Sequence, residues 1–218
     1  MTNTLLSPPA AAVLDRLFAA AARDDETPAP AIRGSATNVP AAERADAMQA
    51  FYLPISARGG QLLYALARSA RPQTIVEFGT SFGISTVYLG AAVADNGTGH
   101  VYGTELSPAK VAAARANLAE AGVGDVVTVL AGDALETLAG LPGPIGLVLL
   151  DGWKDLCLPV LKLLEPRLAP GALVVADDIT HTTLAGYLEY VRDPANGYVT
   201  VAFPVEDGME VSCFTRAA

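Results

Sequence analysis

Cysteine is nearly absent: Cys157 and Cys213 are the two thiols in 218 residues, and they form no CxxC pair. That excludes a disulfide framework and a structural zinc site, and both read as buried free thiols. Basic clusters are missing as well. Fourteen Lys and Arg against 23 Asp and Glu give a formal charge of −9 and a pI near 4.6. Such a surface repels phosphate backbones, so nucleic acid is not an expected partner. Apolar residues make up 51% of the chain and charged ones 17%, yet no apolar run reaches the length of a membrane span, so a soluble protein is expected. The opening MTNTLLSPPAAAVLDRLFAAAARDDE has no basic region followed by an apolar one, which makes the cytoplasm the default location. Repeats and long low-complexity tracts are absent too. Thr27 to Pro40, rich in Pro and Ala, reads as a loop between helical segments.

What is present is an alternation. From Arg71 onward, short β-branched runs at Thr74–Phe78, Val101–Glu105, Val126–Leu130, Leu147–Leu150 and Leu173–Ala176 are separated by amphipathic stretches near Ile84–Ala94, Pro108–Ala121, Asp133–Leu138 and Leu156–Leu168. This order predicts an α/β fold, a doubly wound and mostly parallel sheet with helices on both faces. Ser107 and Pro108 are an N-cap and first-turn proline. After a helix near Thr182–Val191 come two strands, Tyr198–Phe203 and Glu210–Thr215, six residues apart, which is too short for a parallel crossover and predicts an antiparallel hairpin. Before Arg71, helices are expected at Pro9–Ala22, Ala41–Phe51 and Gly60–Ser69. The chain thus divides into an N-terminal helical arm over 1–52, either a lid or a dimer contact, and one domain over 53–218.

"VEFGTSFGIS", Val76 to Ser85, is an apolar strand turning through Gly79 and Gly83 into a helix, where backbone can approach a ligand at the carboxyl edge of a sheet. The spacing G-x-x-x-G is not the G-x-G-x-x-G of a pyrophosphate loop, which disfavours a nicotinamide dehydrogenase. Glu105 ends the next strand where an acid would hold a ribose diol, and Gly132 and Asp133 follow the third. Each feature has a plainer alternative: packing for the glycine turn, a solvated or capping acid for Glu105, a helix cap for Asp133. In this order they resemble the S-adenosylmethionine fold of class I methyltransferases. The resemblance implies a Rossmann-like sheet of seven strands, with Glu77 and Gly79 near the methionine portion, Ser81 and Ser85 at its amino and carboxylate groups, Glu105 at the ribose, and Gly132 and Asp133 near the adenine.

"LLDGWKD", Leu149 to Asp155, and "VVADDI", Val174 to Ile179, end two apolar runs in three carboxylates: Asp151, Asp177 and Asp178. With "PISARGGQLL", Pro54 to Leu63, they are similar to catechol O-methyltransferases, with D-H-W-K and then D-N, and to caffeoyl-CoA O-methyltransferases, with D-x-D-K and D-N. The likeness runs from about Leu53 to Phe214 and implies the cation-dependent O-methyltransferase superfamily. A hard cation, Mg²⁺ or alternatively Mn²⁺ or Ca²⁺, takes oxygen ligands and leaves positions for a vicinal diol. Asp151, Asp177 and Asp178 would supply one face, and the cation would lower the acceptor hydroxyl's pKa. Lys154, its own pKa depressed beside that charge, would take the proton. Asp151 and Trp153 would also border the cofactor; Leu53, Ile55, Trp153 and Lys154 would border the acceptor at the pocket mouth. The expected partners are a small, aromatic acceptor and, as in bacterial relatives, a second copy in a homodimer.

Two departures from the pattern stand out. Gly152 replaces the catechol enzyme's His, and Asp178 replaces the Asn of both families, making the site one charge more negative. The glutamate that precedes the catechol enzyme's final hairpin falls, by counting, on Val201. Alternatives remain for single residues: Asp177 and Asp178 as caps of the helix near Thr182, Trp153 as a core anchor, Lys154 as a surface lysine, His181 as a solvated loop residue, Asp155 as a complement to a helix dipole. Among whole-protein alternatives are a metal-independent methyltransferase of the same fold and a nucleotide-binding protein without catalysis.

Overall fold

The computed structural model describes residues 3–26 and 39–216, so most of the loop expected at Thr27 to Pro40 lies outside the described residues. Seven strands form a single sheet: β1 (Thr74–Phe78), β2 (His100–Glu105), β3 (Val127–Ala131), β4 (Ile145–Leu150), β5 (Leu168–Asp177), β6 (Tyr198–Phe203) and β7 (Met209–Phe214). Their spatial order is β3-β2-β1-β4-β5-β7-β6. Strands β1 to β5 pair in parallel, and β7 runs antiparallel to both β5 and β6. Strand order reverses between β1 and β4, and at such a switch point the connections leave to opposite sides and open a crevice at the carboxyl edge.

Period-two alternation places each strand's side chains on two faces, and both are covered. On β4, Leu147 and Leu149 join one apolar cluster while Val148 and Leu150 join the other; Ile75 and Val76 of β1 divide in the same way. The first face carries α1 (Pro8–Ala21), α3 (Ala57–Ala70), α4 (Ile84–Asn96) and α5 (Pro108–Glu120); the second carries α6 (Ala134–Thr137), α7 (Cys157–Leu164) and α8 (Ala185–Arg192). Gly60 explains how closely α3 lies on α4, since a Cβ there would meet the Tyr88 ring at 2.3 Å. Helix α1 is part of this core through Val13, Leu14 and Leu17, whereas α2 (Ala41–Ala47) lies over the sheet's carboxyl edge.

Several boundaries differ from expectation for local reasons. Helix α2 stops at Ala47 rather than Phe51, because the chain turns through Leu53 at φ +46° into Pro54. Helix α3 begins at Ala57, three residues early, capped by the Ser56 hydroxyl, which accepts from the Gly59 N–H at 3.0 Å. Helix α7 ends at Leu164 and gives way to a 3-10 turn containing Pro166; β5 then starts at Leu168 through an irregular register against Ile145 and Leu147. Cys157 is buried as expected, but Cys213 is half-buried, because β7 lies beside the edge strand with less covering it.

Candidate active site

One cavity of about 370 Å³ opens along the carboxyl edge, and the ends of β1, β2, β3, β4 and β5 all contribute to it. Gly79, at φ +98°, lets the loop after β1 lie directly against the loop after β4: a Cβ there would meet Gly152 N at 2.6 Å. Gly152 is equally confined, because its own Cβ would meet the Phe78 ring at 2.5 Å. The absence of a side chain at 152 therefore has a steric partner in Phe78.

Glu77 lies beneath this loop, fully buried. Its Oε2 accepts from Thr80 Oγ1 at 2.9 Å and Thr86 Oγ1 at 2.6 Å, while Oε1 has no partner. Burial pushes its pKa from the ordinary 4.5 up to about 7; the hydroxyls of Thr86, Ser85 and Thr80 oppose the shift and the charge of Asp151 adds to it. A buried carboxylate oxygen without a donor fits a ligand that brings a positive group, as the ammonium of a methionine portion does. Glu105 lines the cavity with its carboxylate held in place: Oε1 accepts from the Ser107 N–H at 2.8 Å and Oε2 from the Ser81 N–H at 2.9 Å. Each oxygen keeps a lone pair for a diol. Asp133 caps α6 by accepting from the Leu135 N–H at 2.8 Å and also lines the cavity beside Gly132, so the cap does not remove it from the cavity.

At the other end, Asp151, Asp177 and Asp178 offer carboxylate oxygens that all lie within 4.8 Å of one another. Lys154 closes the group, its Nζ 2.9 Å from Asp151 and 3.0 Å from Asp178. Burial and the charges of Asp151 and Asp178 push Asp177 up to about 8, with Lys154 opposing. Burial also raises Asp151 above the carboxylate range, again against Lys154. Acids shifted in this direction are short of positive charge, and an all-oxygen donor set of this kind suits a hard divalent cation. Asp178 sits at φ +56°, a region that Asn and Asp enter more readily than other side chains.

A family model described as a methyltransferase domain matches residues 76–179. A catechol O-methyltransferase of Mycobacterium tuberculosis is 33% identical over 135 residues, which are 62% of this chain and 60% of that protein. A cobalt-precorrin-6B C(15)-methyltransferase (decarboxylating) of Pyrobaculum aerophilum is 31% identical, over 65% of this chain and 71% of its own length. The crystal structure of cofactor-bound Rv0187 from MTB superposes with a TM-score of 0.69 at 25% identity, covering 97% of this chain and 99% of that one. The chain belongs to the class I S-adenosylmethionine-dependent methyltransferases. Its aligned stretch spans less than two thirds of the catechol enzyme's length.

Within this methyltransferase, most residues singled out from sequence converge on the cavity: Leu53, Gly79, Ser81, Glu105, Gly132, Asp133, Asp151, Trp153, Lys154, Asp177 and Asp178. Glu77, Ser85 and Ile55 do not line it. Ser85 and Ile55 face a narrow recess behind the Gly79 loop, and Ile55 is a correction to the expected pocket mouth, since it packs into the core against Gly59 and Met209. Ser81 has both groups engaged, its N–H on Glu105 and its hydroxyl on the Tyr52 carbonyl at 2.7 Å.

For Lys154 the depressed pKa is expected beside a bound cation; the protein's own acids act in the opposite direction. Burial pulls its pKa down, but Asp151 and Asp178 outweigh that and leave it raised, not depressed. His181 stays out of the acid cluster; its Nδ1 accepts from the Thr183 N–H and caps the 3-10 turn that Asp177 and Asp178 were candidates to cap. Val201 is exposed on edge strand β6 and does not line the cavity. Sequence reasoning missed Arg44, Met48 and Lys110. Lys110 is 5% exposed beside Glu105, with Nζ 5.5 Å from the centre of the Phe82 ring, and burial lowers its pKa against Glu105 and Asp24. Among the described residues, no helix is long and apolar enough to cross a membrane.

Proposed function

We propose that the protein transfers a methyl group from S-adenosylmethionine to a hydroxyl of a small aromatic vicinal diol, with a divalent cation held by Asp151, Asp177 and Asp178. The observation that carries this reading is the cluster of three carboxylates within 4.8 Å of one another at the cavity's edge. The sulfonium donor supplies an electrophilic methyl, and the cation supplies Lewis acidity toward the diol. Glu77 and Gly79 would hold the methionine portion, with Ser81 and Ser85 beside it. Glu105 would hold the ribose, Gly132 and Asp133 would border the adenine, and Leu53 and Trp153 would wall the acceptor. Lys154 keeps its proton while Asp151 and Asp178 direct their charge at it. With those acids ligating a cation, Lys154 would lose that hold and could accept the hydroxyl proton. What remains is alignment of oxygen with methyl, which positioning supplies.

A second reading has its own observation: Lys154 already sits between Asp151 and Asp178, so the cluster also reads as an internal ion pair in a metal-independent methyltransferase. One experiment separates the two. S-adenosylhomocysteine is titrated calorimetrically into the purified chain and into Asp151→Ala, with and without Mg²⁺, and each is then titrated with Mg²⁺ and assayed on catechols. Nucleotide binding together with a Mg²⁺ signal lost in the variant supports the cation-dependent reading. Binding without a Mg²⁺ signal selects the metal-independent one, and no nucleotide binding refutes both.

A further inference from the structure

The covering helix α2 meets the site through one side chain. Arg44 lies in the segment AAERADA between Glu43 and Asp46, which are exposed, yet it is itself 2% exposed. Its Nη1 and Nη2 donate to Oδ1 and Oδ2 of Asp155 at 2.8 and 3.0 Å, a two-pronged pair that fixes orientation as well as distance. The guanidinium carbon also stands 4.6 Å from the centre of the Trp153 ring. Trp153 and Asp155 are the two neighbours of Lys154 in sequence. A single residue of α2 therefore grips the chain on both sides of the lysine that faces the three acids.

Among the described residues, little else holds this helix against the cavity. Its other contributions there are Ala41 and Ala45, with Met48 just beyond its end, and small side chains bury little apolar area. Burying a guanidinium is costly unless it is paired; Asp155 pairs Arg44 through both Nη atoms, and only Nε is buried without a partner among the described residues. We propose that Arg44 is a positioning residue: it latches α2 over the acceptor end of the cavity and, through Trp153 and Asp155, sets the placement of Lys154. The kinetic consequence rests on the methyl-transfer reading; the latch itself does not.

Trp153 is the only tryptophan, so its emission reports this contact directly. The experiment measures acrylamide quenching of Trp153 in wild type, Arg44→Gln, Arg44→Lys, Asp155→Asn and the double variant Arg44→Gln/Asp155→Asn, together with S-adenosylhomocysteine binding and acceptor kinetics. Quenching is expected to rise in Arg44→Gln and in Asp155→Asn, to rise no further in the double variant, and to recover in part with Arg44→Lys. Turnover of the acceptor is expected to fall roughly 100-fold in kcat/KM, the order expected for a misplaced catalytic group, while nucleotide affinity is retained. Quenching unchanged in Arg44→Gln, or effects that add fully in the double variant, would overturn the latch. Loss of nucleotide binding along with the quenching change would reduce Arg44 to a merely structural residue. If the wild type turns over no acceptor, the methyl-transfer reading fails while the quenching cycle still decides the latch.

Discussion

Glu77→Gln tests how the site stresses the fold. In the unliganded protein Glu77 is fully buried, its pKa lies near 7 instead of 4.5, and burial is the first cause. A carboxyl whose folded pKa exceeds its unfolded one binds more protons when folded, so stability falls as pH rises from about 4.5 to about 7 and stays low above that. At about 1.4 kcal/mol per pKa unit, and with the unfolded group already partly ionised at pH 5, the loss between pH 5 and pH 8 is about 2–3 kcal/mol. Glutamine cannot ionise, so this loss disappears. Its amide leaves a buried donor without a partner, at a cost of about 1–3 kcal/mol, but that cost is the same at both pH values.

The measured quantity is therefore a difference of differences. Urea unfolding followed by circular dichroism at pH 5 and pH 8 gives the stability of each chain, and the variant's relative standing should improve by about 2–3 kcal/mol on going to pH 8. A change below about 1 kcal/mol would refute the claim that burial raises the Glu77 pKa to about 7. The same substitution should weaken S-adenosylhomocysteine binding, since it removes the charge at the unpartnered oxygen, and a variant that is more stable yet binds poorly is the pattern expected of a residue kept for its ligand.

Three further outcomes follow from the same geometry. Mg²⁺ should raise the unfolding midpoint of wild type more at pH 8 than at pH 6, because Asp177, at about 8, must lose its proton to bind; differential scanning calorimetry at both pH values checks this, and an equal shift would refute it. Gly79→Ala should destabilise by about 2–5 kcal/mol, combining positive φ with collision against Gly152, whereas Gly97→Ala, at φ +67° with nothing within 4 Å, should cost only about 1–2 kcal/mol by urea unfolding. Asp178→Asn should leave urea unfolding near wild type and weaken Mg²⁺ binding about tenfold at pH 8 by calorimetry, as expected for one charge lost from a half-exposed ligand.

The sheet was readable because the inner strands are buried on both faces, so Leu147–Leu150 is an unbroken apolar run and Ile75–Phe78 is interrupted only by the buried Glu77. The start of β5 was not, because Pro170 and Gly171 read as a break whereas the strand continues through them with an irregular register. That the three acids would lie close together was readable from their places at the carboxyl ends of two adjacent parallel strands. Arg44 left no trace, since between Glu43 and Asp46 it looks like any charge on a solvated helix, and its partner lies 111 residues away. Ile55 failed differently. One residue along an irregular segment turns a side chain from cavity to core, and composition cannot report that turn.

The two departures at the acid cluster are of unlike kinds. Gly152 is a steric matter: Phe78 fills the space that a side chain at 152 would need, so a larger residue there would require a smaller one at 78. Asp178 is an electrostatic one. Its backbone at φ +56° suits Asn and Asp alike, so the chain path needs no adjustment and the exchange changes charge alone. That added charge has two recipients. It lies 3.0 Å from Lys154, which it helps to keep protonated, and it is among the causes that push Asp177 up to about 8. In the proposed cation-dependent reaction, both effects would favour a cation and keep the proposed base protonated without one. With Asn at 178, Lys154 would be held by Asp151 alone and Asp177 would ionise at lower pH. On the proposed reading, the three carboxylates at the ends of two buried strands keep Lys154 protonated, and neutralising charge on them would release it.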